Sequence, residues 1–244
     1  MFSSTVHQDF KDHVLKRFPE EAGGFVVNVG GVVVFIPCDN ISTQPDREYH
    51  VSGSDYVALT KRGEILAMLH SHVPIDGKDP LVGPSKIDMQ LQIDMAMPFG
   101  ISVTDGETCT EPLYFGEGSP RPPLVGRVFV SGAQDCLALL RDYFADHGVK
   151  LAHIAYDFDW FDQGDDLYAT NFTGYGFHRI DASEVRVGDV ALMKVGAKVL
   201  NHAGVVVEPG VLLHHLNYHL SMREPVAKWG PAIDIWLRNE EFKP

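Results

Sequence analysis

The chain has 244 residues, 45% of them hydrophobic and 22% charged, which is enough to bury one large hydrophobic core or two small ones. Its 33 acidic residues outnumber its 20 basic ones, and the formal net charge of −13 argues against binding to nucleic-acid phosphates or to an anionic membrane surface. Three cysteines do not make a disulfide scaffold, and no secretory leader or long apolar span stands out, so we expect a soluble protein made in the cytosol.

The first half of the chain has the pattern of a mixed α/β domain. Helical spacing of apolar residues predicts an opening helix on Val6, Phe10, Val14, Leu15 and Phe18. Two β-rich segments, 24–29 and 32–37, flank Gly30-Gly31 and predict a hairpin. The remaining predictions are a helix at 52–61, a buried strand at 64–70, a helix at 85–95 and a strand at 98–103. The helix at 85–95 has Ser85 as its N-cap and Ile87, Leu91 and Met95 on one face.

A segment rich in proline and glycine divides the chain near its middle. Residues 116–123 read Gly-Glu-Gly-Ser-Pro-Arg-Pro-Pro, which predicts a stiff linker. We therefore expect domains at 1–116 and 125–244, joined by a linker at 117–124. In the second domain the pattern predicts a helix near 135–144 and strands at 187–195, 204–207 and 211–213, an order typical of the α+β class.

Two histidines, two residues apart, follow the predicted strand at 64–70. Side chains two apart on an extended chain face the same way, so His70 and His72 can point at one ion. Asp88, on the first turn of the next helix, adds a carboxylate, and this donor set is typical of a catalytic zinc site. Such a site also needs, as general base, a carboxylate that is not a metal ligand, and Glu21 is a candidate. The alternative is a histidine pair at ordinary core or surface positions.

These residues resemble the pattern of the JAMM (MPN) metalloprotease family, a glutamate followed by His-x-His and Ser-x-x-Asp. The resemblance implies an α/β MPN domain that binds one Zn²⁺. It implies His70, His72 and Asp88 as ligands, Glu21 rather than Glu20 as the acid/base, and Ser85 as a residue that holds the tetrahedral intermediate.

This sequence departs from that pattern at two places. Gly23 stands where the family has a cysteine. The segment 73–84 is longer than usual, and Val73 stands where the family has proline. The longer segment 73–84 could cover the cleft of the metal site, so the sequence predicts a metal-binding site without deciding whether it catalyses a reaction.

A second group of residues suits nucleophilic catalysis. Cys136 lies at the start of the predicted helix near 135–144, and a helix N-terminus favours a thiolate. A thiolate nucleophile needs an imidazole partner and usually a third residue to orient that ring. His202 and His214 flank a tight turn, and a hairpin can bring them side by side. The alternative is a buried cysteine without chemistry, or a metal site that uses His214, His215 and His219.

These elements resemble the NlpC-type cysteine peptidases. The resemblance rests on Asp135-Cys136-Leu137, on His202-Ala203-Gly204, on a third histidine about a dozen residues later, and on Gly188-Asp189. It implies a papain-like α+β domain with Cys136, His202 and His214 as catalytic residues, and peptidoglycan stem peptides as substrate. The tyrosine that often precedes the cysteine in that family is Leu124 here, so the hydrogen-bond donor to the oxyanion on that side must come from elsewhere. An acidic, aromatic segment at 156–166 is either a solvated loop or a rim that selects a cationic group.

The pairing of these two domains is similar to the tail tip assembly proteins of lambda-like siphophages. That similarity implies synthesis in the host cytoplasm, tail tip proteins as partners, action at the distal tail, and hydrolysis of the D-γ-glutamyl–diamino acid bond to aid DNA entry. Two alternatives remain: a non-enzymatic assembly scaffold, and a protease that processes another tail protein through the JAMM site.

Overall fold

The computed structural model describes residues 1–243. By the density of its internal contacts the chain divides into two compact units, Met1–Pro120 and a second unit that begins at Arg121. This division lies inside the segment 117–124. Among the described residues, the structure has no helix that is both long and apolar enough to cross a membrane.

The first unit contains three helices and five strands. In chain order these are α1 (Ser4–Arg17), β1 (Gly23–Val29), β2 (Val32–Cys38), α2 (Gly53–Thr60), β3 (Glu64–His72), α3 (Lys86–Met95), β4 (Phe99–Val103) and β5 (Leu113–Phe115). The strands form one sheet in the order β2-β1-β3-β4-β5, in which β3 and β4 pair in parallel and the other neighbours are antiparallel.

Helix α1 covers the sheet and forms the main core of the first unit. Its buried residues Val6, Phe10 and Val14 pack against Val26, Phe35, Ala67 and Leu69 of the strands. The i, i+4 spacing of the three helical residues puts them on one stripe, as the sequence predicts. The helix ends at Arg17, and Phe18 is its C-cap and is 38% exposed, so Phe18 does not belong to that stripe.

Two details of the predicted elements are wrong. Strand β3 continues to His72, two residues beyond the predicted strand at 64–70, so His72 lies within the strand rather than after it. In α3 the predicted face is not buried, because Ile87 is 61% and Leu91 36% exposed, whereas Met89 and Gln92 are buried. A polar side chain can take a buried position when it is hydrogen-bonded, and Gln92 Nε2 donates to the carbonyl of Met97 at 3.2 Å.

The second unit places helices beside an antiparallel sheet, which agrees with the predicted α+β class. Its elements are α4 (Cys136–Asp146), α5 (Leu167–Asn171), β6 (Phe177–Ile180), β7 (Val190–Met193), β8 (His202–Glu208), β9 (Val211–His214), β10 (Met222–Pro225), α6 (Val226–Trp229) and β11 (Ile233–Asn239). The sheet order is β10-β9-β8-β7-β11-β6, and α4 lies against β8. The sequence predicts α4, β7, β8 and β9 but not the remaining strands.

The end of the predicted linker is held by the second unit. Buried Arg127 donates from Nη2 to the carbonyl of Pro122 at 2.6 Å and from Nε to that of Pro123 at 2.8 Å. Its Nη1 pairs with Asp142 of α4 at 2.6 Å. Residues 122 and 123 of the predicted linker are therefore anchored to the second unit, because a buried guanidinium satisfies its donors on their carbonyls.

Candidate functional site

Three side chains of the first unit bring their ligand atoms together at the end of β3. His70 and His72 alternate with buried Ser71 along the strand, and their Nε2 atoms are 3.2 Å apart. Asp88, on the first turn of α3, lies 3.2 Å from His70 Nε2 through Oδ1 and 3.3 Å from His72 Nε2 through Oδ2. Within residues 1–243 this is the one group of three or more histidine, cysteine, aspartate or glutamate side chains whose ligand atoms converge, so His214, His215 and His219 do not form another.

The spacing of these atoms fits a tetrahedral metal ion. Zinc–nitrogen bonds of about 2.0–2.1 Å imply ligand atoms about 3.3–3.4 Å apart in a tetrahedral site. The two Nε2 atoms are 3.2 Å apart, and each lies 3.2 or 3.3 Å from one of the two Asp88 oxygens, which is close to the edge length of such a tetrahedron. Two imidazole nitrogens and a carboxylate also have the chemistry that zinc prefers, so the donor set fits the ion.

The ligand atoms are oriented by neighbouring groups. His72 Nδ1 donates to the carbonyl of Leu81 at 2.8 Å, so its Nε2 carries the free lone pair. Leu81 belongs to the extended segment 73–84, which therefore supports the site. The backbone N–H and the hydroxyl of Ser85 each donate to Asp88 Oδ2 at 2.7 Å. The hydroxyl of Ser85 thus orients Asp88 in this structure, a contact that the predicted role on an intermediate does not include.

Glu21, the predicted general base, lies at the cavity beside the three ligand residues. It is buried and lines a cavity of about 200 Å³ together with His72, Ser85 and Asp88. Burial raises the pKa of the Glu21 carboxyl, although the nearby histidines oppose that shift. Glu20 instead makes an ion pair with Arg17 at 2.8 Å, so of the two glutamates only Glu21 is placed to act in the cavity.

The glycine at the family's cysteine position has a steric cause. Gly23 of β1 is paired with His70 of β3. A Cβ at Gly23 would lie 2.2 Å from the carbonyl oxygen of Leu69 and 2.8 Å from His70 Cβ. Since real Cβ atoms do not approach so closely, the glycine allows β1 to pack against the histidine strand.

In the second unit, a capping aspartate holds Cys136 at the first position of α4. The side chain of Asp135 accepts from the N–H of Ala138 at 2.9 Å and from that of Gly132 at 2.7 Å. Its Oδ2 also accepts the hydroxyl of Tyr156. With its acceptors occupied, buried Asp135 keeps the turn before the cysteine in one conformation.

Burial opposes the thiolate that the helix N-terminus predicts. Burial raises the pKa of Cys136 to about 12, and the charge of Asp135 adds to the shift. Burial also lowers the pKa of His202 to about 3, with smaller effects of His214 and His215. Desolvation disfavours every charged form and here outweighs the helix dipole. Both shifts favour transfer of the proton from the sulfur to His202 during attack rather than before it.

His202, His214 and Glu224 form a hydrogen-bonded line behind the cysteine. His202 Nε2 is 3.1 Å from His214 Nδ1, and His214 Nε2 is 3.3 Å from Glu224 Oε2. His214 of β9 is paired with Gly204 of β8 on one side and with Met222 of β10 on the other. His202 and Glu224 each lie two residues along the strand from those partners, so both are diagonal neighbours of His214 on one face of the sheet. Opposite His214 is Gly204, where a Cβ would lie 3.0 Å from His214 Cβ.

The line determines which nitrogen of each ring carries a proton. Glu224 can only accept when ionised, so His214 Nε2 donates and His214 Nδ1 becomes an acceptor. His202 Nε2 then donates to His214, which leaves His202 Nδ1 without a proton. The free Nδ1 is the atom that can take the proton of Cys136. Glu224 is itself held by Trp229 Nε1 at 2.8 Å and by Lys228.

Cys136 and His202 line the same cavity, of about 290 Å³. Aromatic side chains of the predicted rim segment, Tyr156, Phe158, Trp160 and Phe161, form part of its wall, while the aspartates of that segment are not among the lining residues. His215, the neighbour of His214, also lines this cavity but packs edge-on against Phe129 at 5.2 Å. The structure thus brings His214, not His215, to His202.

Comparison with known proteins agrees with this geometry. Residues 114–232 match the model of the NlpC/P60 family. Tail tip assembly protein K of Escherichia phage N15 is 33% identical over 219 residues, which cover 87% of this chain and 85% of that protein. The chain belongs to the tail tip assembly protein K family. The K protein of Escherichia phage lambda is 32% identical over 180 residues, which cover 73% of this chain and 84% of that protein.

The similarity to K proteins and the NlpC/P60 match differ in extent. The 219 residues aligned with the phage N15 protein are more than either unit contains, so the likeness includes part of the first unit. The NlpC/P60 match includes Cys136, His202, His214 and Glu224. This chain therefore has an NlpC/P60 domain, a member of a family of cysteine peptidases and hydrolases, within a K-family protein.

Two neighbours of the K-family cysteine site are absent from the sequence-based prediction. Glu224 lies in the segment Met-Arg-Glu-Pro, and no sequence motif or spacing indicates that it belongs to the site. Only the pairing of β9 with β10 brings it to His214. Tyr168 of α5 has its hydroxyl 3.1 Å from Cys136 Sγ although the two residues are 32 positions apart. The one signal in the sequence was the aromatic segment before α5. It indicates a wall of the cavity, but it does not indicate that the hydroxyl of Tyr168 lies beside the sulfur.

Proposed function

We propose that this chain is a phage tail tip assembly protein whose second unit hydrolyses the D-γ-glutamyl–diamino acid bond of peptidoglycan stem peptides. The carrying observation is the line of His202, His214 and Glu224, together with the cavity that both Cys136 and His202 line. The NlpC/P60 match and the names of the K relatives support the choice of substrate and setting. We place synthesis in the host cytoplasm, and action at the tail tip among other tail proteins.

The geometry supports acyl transfer through the thiol. Cys136 Sγ bonds to the carbonyl carbon while its proton passes to His202 Nδ1, and the carbonyl π electrons move to the oxygen. The carbon–nitrogen bond then breaks, and His202 returns the proton to the departing amine. Water hydrolyses the thioester with His202 again as base, which restores the thiol. His214 and Glu224 orient His202 and stabilise its transient charge.

For the first unit we propose an MPN-type domain with one zinc ion held by His70, His72 and Asp88. Zinc bound there would supply a Lewis acid and lower the pKa of water. Ser85 and Leu81 orient two of the ligands, and buried Glu21 holds or releases a proton beside them. The convergence of three ligand atoms favours a second candidate function, cleavage of another tail protein by this site.

The test is mass spectrometry of muropeptides after incubation of purified peptidoglycan with the full chain. We expect new products cut at the D-γ-glutamyl bond from wild type and from His70→Ala. Cys136→Ala should give none, because it lacks the sulfur that forms the acyl intermediate.

The outcomes separate the alternatives. Products from Cys136→Ala, but not from His70→Ala, would assign wall hydrolysis to the first unit. A wild type that cuts nothing, with tails that still assemble on the Cys136→Ala protein, would favour the non-enzymatic scaffold.

A further inference from the structure

We propose that Tyr168 is a catalytic residue that donates a hydrogen bond to the oxyanion formed when Cys136 attacks a carbonyl. The inference rests on the proposed thiol chemistry of the second unit. Its basis is the phenol oxygen of Tyr168, which lies 3.1 Å from the sulfur and lines the same cavity. A donor at this position is in contact with the reacting atom itself.

Local packing holds the Tyr168 hydroxyl in place. Tyr168 is the second residue of α5, whose N-cap Asp166 accepts the N–H of Ala169 at 2.9 Å. The ring of Trp160 meets the Tyr168 ring edge-on, with centroids 5.8 Å apart. Tyr168 is buried, so its ring has few alternative orientations and its hydroxyl is preorganised.

The hydroxyl has the protonation state that an oxyanion donor needs. Burial and the adjacent Cys136 hold the pKa of Tyr168 well above its usual range, so the phenol keeps its proton at neutral pH. In the resting site this O–H and the thiol satisfy one another. Once Sγ is bonded to carbon, the sulfur has lost its proton and the new oxyanion lies beside it. The Tyr168 O–H can then turn to that oxygen, and no bond of Tyr168 breaks.

Three other side chains near Cys136, those of Asp135, Tyr156 and His202, have different partners. The hydroxyl of Tyr156 is taken by Asp135, and the carboxylate of Asp135 can only accept. His202 Nε2 faces His214, and its Nδ1 is needed for the proton of the thiol. Tyr168 is therefore the phenol that is free to change partner as the charge develops.

Two reactions of the same sulfur test the proposal. Acylation of Cys136 by p-nitrophenyl acetate passes through a tetrahedral oxyanion, whereas alkylation by iodoacetamide does not. Both rates are measured on the full chain by mass spectrometry of the peptide that contains Cys136. For Tyr168→Phe we expect acylation to slow by about 10²–10³-fold. Alkylation should stay within about threefold of wild type. Tyr175→Phe, a half-buried phenol away from the sulfur, is the matched control and should change neither rate.

Each other outcome is decisive. Equal slowing of both reactions in Tyr168→Phe would show that the tyrosine only positions the sulfur, and unchanged acylation would show that the hydroxyl is not used. A wild-type thiol that is not acylated would also overturn the inference, because it forms no oxyanion. If acylation depends on Tyr168 but peptidoglycan is not cut, the proposed substrate is wrong and the role of Tyr168 stands.

Discussion

Each of the two candidate sites has two histidines and a carboxylate, but they are arranged in opposite ways. In the first unit the Nε2 atoms of His70 and His72 lie 3.2 Å apart, and each is 3.2–3.3 Å from an oxygen of Asp88. In the second unit His202, His214 and Glu224 form a line, and each of the three ring nitrogens that join them has one partner. Convergence places lone pairs around a single ion, whereas a line fixes tautomers and moves protons.

The electrostatic surroundings of the two sites also favour different chemistry. Asp88 stays ionised because His70 and His72 hold its pKa well below the usual range, even though burial opposes the charge. In the second unit burial keeps Cys136 and His202 neutral instead. A stable buried carboxylate suits a cation, and a neutral thiol–imidazole pair suits proton transfer during attack.

The largest expected effect separates the sites by metal content. The wild-type chain should bind about one zinc, and His72→Ala should bind none because a tetrahedral site with two protein ligands is weak. Elemental analysis after dialysis measures the ratio. His50→Ala, which alters another residue lining the same cavity, is the control and should retain the metal. A chelator should leave peptidoglycan hydrolysis intact. Equal zinc in wild type and His72→Ala would remove these residues from the site.

How much of each site the sequence predicts depends on how local the contacts are. His70 with His72 and Ser85 with Asp88 are close in sequence, so strand and helix periodicity suffice to bring them together. The hairpin of β8 and β9 likewise makes His202 a diagonal neighbour of His214, whose direct partner is Gly204. Glu224 needs β10, a four-residue strand with two charged residues and no apolar alternation, so no pattern predicts it.

Tyr168 and the state of the thiol escape prediction for other physical reasons. Helix α5 has five residues, too few to show a periodic apolar face. The pKa of Cys136 depends on how deeply the sulfur is buried beside Asp135, and burial depends on the whole tertiary fold. The helix-start position correctly predicts where the cysteine sits but not its charge.

A smaller effect should follow from changes within the line. His214→Ala should lower kcat by about 10³-fold because the His202 ring loses its orienting partner. His214→Gln should keep much more activity, since its amide can accept from His202 and donate to Glu224. Glu224→Gln should lower kcat by about tenfold with little change in KM, because a carboxamide holds the His214 tautomer less firmly.

Muropeptide release under saturating and limiting substrate gives kcat and KM for these variants. Glu208→Gln is the matched control, because exposed Glu208 of β8 pairs with Arg223 of β10 and has no hydrogen bond to either histidine. Activity of Glu224→Gln equal to wild type would remove Glu224 from the line. A fully active His214→Ala would mean that His202 is oriented by another group.

The smallest expected effect concerns stability, and it belongs to the second unit. The pKa of His202 is about 3 in the folded protein against 6.5 for an ordinary histidine. Between these values the unfolded chain binds a proton that the folded chain does not, so the free energy of unfolding falls as the pH decreases. The loss is about 1.4 kcal/mol per pH unit for one such group, or about 2 kcal/mol between pH 6.5 and pH 5.

Tryptophan fluorescence can follow this loss in the second unit alone, because all three tryptophans of the chain, Trp160, Trp229 and Trp236, lie after Arg121. Urea unfolding at pH 6.5 and pH 5 should show the decrease in wild type, and His202→Gln should show much less of it because glutamine does not titrate. An equal decrease in both proteins would assign the pH dependence to other groups, of which His214 is the first to examine, since burial also lowers its pKa. The variant pair thus distinguishes a neutral His202 in the folded site from a ring that is already charged at rest.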